Sequence, residues 1–289
     1  MSIQPRRSVL YLPASNARAL AKARTLEADA LILDLEDAVA PDAKEIARQQ
    51  VVEAVREGGF GQREVVIRVN GLDTPWGAGD LAAVAGAGGD AVLLPKVSTP
   101  DQVLDALARL DEAGAPADLP LWIMAETPRG ILDSHAIAGA HPRLAVMVLG
   151  TSDLAKELRL PARSDRLGLL GALSHCVLAA RAHGLEILDG VHLDLADEAG
   201  FEFACEQGRD LGFDGKTLIH PRQLAVANRV FSPTAEAVER ARRIIDAWSE
   251  ARAAGRGVVV VDGRLVENLH VEEAQRVLAL AGAIETLGW

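Results

Sequence analysis

Six short segments of this chain carry the residue types that chemistry needs. Leu31 to Asp37 reads Leu-Ile-Leu-Asp-Leu-Glu-Asp, so three carboxylates, Asp34, Glu36 and Asp37, arrive where an apolar run leaves the core. Burying all three unpaired would be costly. The other segments are Ile67-Arg68-Val69-Asn70, Pro95-Lys96, Glu126-Thr127-Pro128-Arg129, Gly150-Thr151-Ser152-Asp153 and Ile219-His220-Pro221. Glu126 and Asp153 supply oxygen donors with no His or Cys beside them, a set that suits a hard ion such as Mg²⁺ and leaves positions for waters and substrate oxygens. A metal held this way grips a 2-hydroxy or 2-keto acid. Arg68, planar and always charged, suits a carboxylate or a developing enolate oxygen. Together they describe an aldol- or Claisen-type lyase, with metal and arginine stabilising charge on opposite sides of the breaking bond. Lys96 offers another route, a Schiff-base aldolase. That route needs no metal, so metal dependence separates the two.

Each residue also has a plainer reading. Ser152 and Asp153 suit N-caps of a helix over 154–158, and Asp42 an N-cap of a helix over 43–55. Asp37 reads equally as a loop carboxylate and His220 as a core histidine. The set is harder to dismiss than its members, because unrelated loops would not place acids and arginines at five strand ends on one rim.

The elements that must position these residues follow from hydrophobic pattern. Short β-branched or aliphatic runs alternate with Ala-rich, charge-bearing segments, as βα units around a parallel sheet do. Strands are expected at Val9–Pro13, Ala30–Leu35, Val65–Asn70, Ala91–Val97, Leu121–Glu126, Ala145–Gly150, Ile187–Val191 and Lys216–Ile219. Within the third, alternation puts Ile67 and Val69 on one face and Arg68 and Asn70 on the other. Eight such units predict an α/β fold, a (β/α)₈ barrel, over residues 1–232. A doubly wound sheet is the competitor, but its polar residues would gather at one topological switch point rather than at nearly every strand end. Residues 233–289 read as a C-terminal extension: a helix Thr234–Ala254, a strand Gly257–Val261 and a helix Val271–Leu287, packed on the barrel or on a neighbouring subunit.

Composition narrows the function. A chain of 289 residues, 49% hydrophobic and 25% charged, has material for one large α/β domain. Its net charge of -11 argues against nucleic acid as the main partner, since such binders present basic surfaces. Cys176 and Cys205 lie in apolar helical patterns, as buried thiols do. The first residues lack an apolar signal-peptide core, and no uncharged apolar stretch reaches membrane-spanning length, so a cytoplasmic, membrane-free protein is expected.

The motifs taken together resemble those of citrate lyase beta-subunit-like proteins of the HpcH/HpaI aldolase family. They are Arg7 to Pro13, Leu33 to Val39, Arg68 to Asn70, Leu94 to Lys96, Glu126 to Gly130, Gly150 to Leu154, Asp189 to Val191, Gly212 to Lys216 and Ile219 to Pro221. The resemblance implies a (β/α)₈ barrel, a homotrimer or hexamer, Mg²⁺ on Glu126 and Asp153, and a substrate-binding Arg68. It further implies cleavage or formation of a 3-hydroxyacyl thioester such as citryl-, malyl- or citramalyl-CoA, with a keto acid as partner. On this basis Arg68, Asp37 and Glu267 are assigned to catalysis, and Arg68, Arg7, Lys96 and Glu126 to substrate binding. Two departures stand out. Leu12-Pro13-Ala14 replaces a common Val-Pro-Gly, and Glu267 stands where related thioester enzymes place an Asp donated to the neighbouring subunit's site. The alternative to an enzyme is a regulatory barrel that keeps the keto-acid pocket without turnover.

Overall fold

Eight parallel strands close on themselves in the computed structural model, which describes residues 3–289. They are β1 (Ser8–Pro13), β2 (Ala30–Asp34), β3 (Glu64–Arg68), β4 (Ala91–Leu94), β5 (Leu121–Ala125), β6 (Leu144–Leu149), β7 (Glu186–Asp189) and β8 (Gly215–Leu218), in chain order around the barrel, with β8 pairing back on β1. Helices intervene between successive strands. This is the (β/α)₈ barrel expected from the pattern, and the doubly wound alternative is excluded by closure.

The period of two along each strand sorts side chains into two apolar populations. Ile32, Val66, Leu93, Trp122, Met124, Val146 and Val148 fill the barrel interior. Leu31, Leu33, Ile67, Ile123 and Met147 face outward and join the helices in the larger core. The strand-three expectation holds for three residues: Ile67 and Val69 face the helices, while Arg68 continues the inward row begun by Val66; Asn70, beyond the strand end, instead bonds Asp80 of helix Gly77–Val84. β4 stops three residues short of the predicted end. Pro95 lacks a ladder donor, and Lys96 takes a left-handed φ of 55°.

The mouth where the strands begin is plugged. Arg6 meets Glu64 at 2.6 Å, pairs with Glu186, and lies 5.1 Å over the ring of the fully buried Trp122. The C-terminal mouth is left for function, as in barrels generally. Cys176 and Cys205 are buried free thiols, and burial pushes both up to about 12.

The chain separates into two compact units, Arg6–Phe231 and a second built from Ser232–Trp289 with the few residues before Arg6. In the second, helices Ala235–Ala253 and Asn268–Leu287 pack through Ala241, Ile244, Val271 and Ala274. Between them β9 (Val259–Val261) and β10 (Arg264–Val266) form an antiparallel hairpin. The second hairpin strand goes beyond the sequence reading. Its signal was Asp262-Gly263, a two-residue turn in which both residues have positive φ.

Candidate active site

The C-terminal mouth holds a cavity of about 360 Å³ bounded by Asp34, Asp37, Arg68, Glu126 and Asp153, with Tyr11 and Met124 at its floor. Arg68 is its fixed point. It is 7% exposed, and Asp34 holds Nε and Nη2 at 2.6 Å each. Glu36 sits 3.0 Å from Nη1, and the Tyr11 ring lies 4.8 Å from the guanidinium carbon. Burial opposes the positive charge, yet Asp34 and its neighbours outweigh it and hold Arg68 above its ordinary value. Burial raises the Tyr11 phenol beyond its usual range.

Lys96 ties two strand ends together. Its backbone N–H donates to Glu126 Oε1 at 2.7 Å, and its ammonium donates to Glu36. Burial works against that ammonium, but the hydrogen bond and charge of Glu36 raise it above its ordinary value. The amine is thus held charged, the wrong state for a Schiff-base nucleophile. Glu36 itself is raised by burial, with Arg68 and Lys96 pulling the other way.

Glu126 is 2% exposed and is pushed up to about 7 by burial, which the Lys96 N–H and Arg68 only partly offset. Glu36 and Asp153 add to the negative field around it. Gly150, the N-cap of helix Thr151–Glu157, makes room for it: a Cβ there would stand 2.2 Å from Glu126 Oε2. Asp153 lies in the first turn of that helix and lines the same cavity. Among the described residues, neither its oxygens nor Glu126 Oε2 has a protein donor. Two carboxylates therefore face one space with no direct ion pair to a protein cation, Arg68 acting on Glu126 only from across the cavity. That is the environment a divalent ion relieves, and no cluster of three or more ligating His, Cys, Asp or Glu is present among the described residues. An ion here would take two protein oxygens and complete its shell from water and substrate, which suits Mg²⁺.

The structure thus brings together Arg68, Lys96, Glu126, Asp153 and Asp37. Asp37 is the most open of them, its side chain 60% exposed, 3.7 Å from the Lys96 ammonium and 3.9 Å from Arg68. Arg7 is a correction. It precedes β1, so it belongs to the opposite mouth, where Asp29 holds its backbone and guanidinium at 2.8 Å. It is 3% exposed and secures the start of β1, away from the cavity. Glu267 lies in the second unit, exposed, immediately before helix Asn268–Leu287, and its N–H donates to His270 Nδ1.

Asp34 and Glu36, outside the catalytic set expected from the sequence, are the acids closest to Arg68; alternation along β2 assigns Asp34 to the inward face with Ile32, while Glu36 and Asp37 lie in the turn beyond the strand. The capping readings also change. The helix begins at Thr151, so neither Ser152 nor Asp153 is its cap. His220 is no core residue: its Nδ1 accepts from Arg222 N–H at 3.1 Å and caps the turn Pro221–Gln223. Asn70 is buried, bonding Leu35 and Asp80.

Residues 7–221 match the family model described as HpcH/HpaI aldolase/citrate lyase. A (3S)-malyl-CoA thioesterase of Cereibacter sphaeroides is 55% identical over 280 residues, 97% of this chain and 96% of that protein. The citrate lyase subunit beta of Escherichia coli is 37% identical over 281 residues, 96% of this chain and 93% of the relative. Among solved structures, the protein CitE from Mycobacterium tuberculosis, in complex with magnesium, acetoacetate and coenzyme A, superposes with a TM-score of 0.76 at 31% identity, covering 98% of this chain and all of that one. With the barrel, the rim and these matches in agreement, the chain belongs to the HpcH/HpaI aldolase/citrate lyase family.

Proposed function

We propose that this protein is a Mg²⁺-dependent carbon-carbon lyase that cleaves or forms a 3-hydroxyacyl thioester, releasing or consuming a 2-keto acid. The observation that carries this reading is the opposition of charges in one cavity, a pinned Arg68 on one wall and Glu126 and Asp153, neither in an ion pair, on the other. Glu126 and Asp153 would hold the ion, which supplies Lewis-acid polarisation to the oxygens of the bound acid. Asp34 and Glu36 fix the guanidinium plane of Arg68, whose Nη1 also reaches Met124 Sδ, leaving an Nη2 N–H for a substrate oxygen that gains negative charge as the bond breaks. Lys96 serves as a clamp on Glu126 and Glu36 rather than as a nucleophile. Asp37, open to solvent, is placed to exchange a proton with the reacting group.

Glu267 remains our proposal for an acid or base delivered from a neighbouring subunit of a homotrimer or hexamer. We place the enzyme in the cytoplasm; no helix among the described residues is long and apolar enough to cross a membrane. The 55% identical relative named as a thioesterase favours one second reading, in which water attacks the thioester carbonyl of a malyl-CoA-like substrate. Product analysis with malyl-CoA and Mg²⁺ tests both. Acetyl-CoA with glyoxylate supports the lyase, malate with free CoA supports hydrolysis, and no turnover across a panel of thioesters favours the regulatory barrel.

A further inference from the structure

Beside the acid cavity lies a roomier one, about 730 Å³, lined by none of the residues given a role above. It runs between the segments that follow β6 and β7, and Thr151, Ser152, Val191 and Leu193 belong to both cavities. Its wall is largely aliphatic: Ala155, Leu160, Leu167, Leu169 and Val191 contribute. Leu167 and Leu193 are 62% and 63% exposed, a high apolar exposure for residues that flank a catalytic mouth.

The roof, residues 159–169, is tied down. Arg166 meets Asp189 at 2.7 Å, donates through Nε to Gln207 at 2.8 Å and through Nη2 to the Ala204 carbonyl. Gln207 in turn donates to the Asp165 carbonyl at 2.9 Å. Of the three cations on the wall, Arg163 and Arg166 are already paired with Asp165 and Asp189, and Lys156 is exposed. The remaining polar lining is Thr151, Ser152, Ser164, His192, Asp194 and Asp197, and with two acids there and both arginines committed, the space suits an apolar group better than an anion.

We propose that this annex receives an aliphatic substituent on C3 of the substrate, so that the favoured class is 3-hydroxyacyl thioesters carrying both a carboxylate and a chain of several carbons on C3. The inference rests on the lyase reading of the acid cavity. In the reaction the C2–C3 bond breaks, and the C3 hydroxyl becomes the keto oxygen as its proton leaves to a base. The bonding pair passes into the thioester enolate, which takes up a proton at C2. The products are acetyl thioester and a 2-keto acid longer than pyruvate, whose chain stays in the annex.

The test is calorimetric titration of the full chain in Mg²⁺ with pyruvate and with 2-oxohexanoate, which differ by three methylenes. A buried methylene is worth roughly fourfold in affinity, so 2-oxohexanoate should bind at least about tenfold tighter. Ala155→Phe fills the annex and should bring the two acids to within about twofold of each other, with pyruvate affinity unchanged. Leu167→Asp, at an exposed position that does not endanger folding, should reduce the preference at least about threefold. Equal affinities in the native protein, or an undiminished preference in folded Leu167→Asp protein, would overturn the annex and leave the acid cavity standing. If neither acid binds, the keto-acid reading falls with it.

Discussion

Arg68 and Asp34 occupy partner positions on β3 and β2 and meet edge to edge, Nε 2.6 Å from Oδ1 and Nη2 2.6 Å from Oδ2. Strand register makes this pair, because partner residues of adjacent parallel strands point to the same side. Asp34 also accepts the backbone N–H groups of Glu36 and Ala38, so the turn after β2 and the guanidinium are held by one carboxylate. Any change at Arg68 therefore acts on the turn after β2 as well as on the cavity.

Arg68→Lys should lower kcat at least about tenfold, on the order of 1.4 kcal/mol of transition-state stabilisation, because an ammonium cannot keep the two-point grip on Asp34 that aims the remaining donor into the cavity. Arg68→Ala should cost about 3–5 kcal/mol of stability, since it strands a buried carboxylate. Steady-state kinetics and denaturant titration check the two, and unchanged kinetics in the Lys variant would reduce Arg68 to a structural charge.

Glu126→Ala and Asp153→Ala should each abolish binding of Mg²⁺, expected at one ion per chain, together with turnover. Removing either ligand leaves too few protein oxygens for an ion that keeps most of its waters. Calorimetry reads the binding. Full activity in excess EDTA would contradict the metal-dependent reading.

Without metal, folded Glu126 titrates at about 7 against an ordinary value of 4.5. Between those values the folded chain keeps a proton that the unfolded chain has released. Metal-free stability should therefore fall as pH rises through roughly 4.5 to 7, by on the order of 2–3 kcal/mol in all. Thermal melts in EDTA should show that slope, and Glu126→Gln should flatten it and raise Tm at pH 8. Mg²⁺ affinity has the opposite dependence, weakening below about pH 7 where the proton competes for the carboxylate.

Gly150→Ala places a methyl 2.2 Å from Glu126 Oε2 and 2.4 Å from its Cβ, so the carboxylate must turn away and the backbone that carries it must shift. We expect Mg²⁺ affinity to fall at least about tenfold with the helical circular dichroism spectrum retained. Native affinity in this variant would mean that Glu126 does not bind the ion in the orientation described.

Mixing inactive Glu267→Ala with inactive Asp153→Ala protein should restore part of the activity if Glu267 is delivered across a subunit interface, because some sites then receive one intact residue of each kind. Confirmed subunit exchange without recovered activity would refute delivery in trans. Wild-type rates in Glu267→Gln would remove Glu267 from the chemistry.

Much of this architecture was legible in the residues themselves. Period-two alternation through Ile67-Arg68-Val69 put Arg68 in the barrel, and alternating apolar runs and helices announced eight βα units, because those preferences are local and repeat along the chain. Chain order alone places Arg7, which precedes β1, at the far mouth, and alternation places Asp34 on the inward face, whereas Glu36 and Asp37 are positioned by the turn after β2. Other features depend on closure of the barrel. That Asp34 rather than Asp37 grips Arg68 depends on β2–β3 register, and the left-handed Lys96 takes its sense from the Glu126 carboxylate it holds. The neutral-range titration of Glu126 arises from burial, to which residues from several strands contribute. Sequence by itself determined which residue types reach the rim. Only the tertiary structure decided which of them touch and which stay dry, since contact and desolvation arise when distant segments are brought to the same few ångströms.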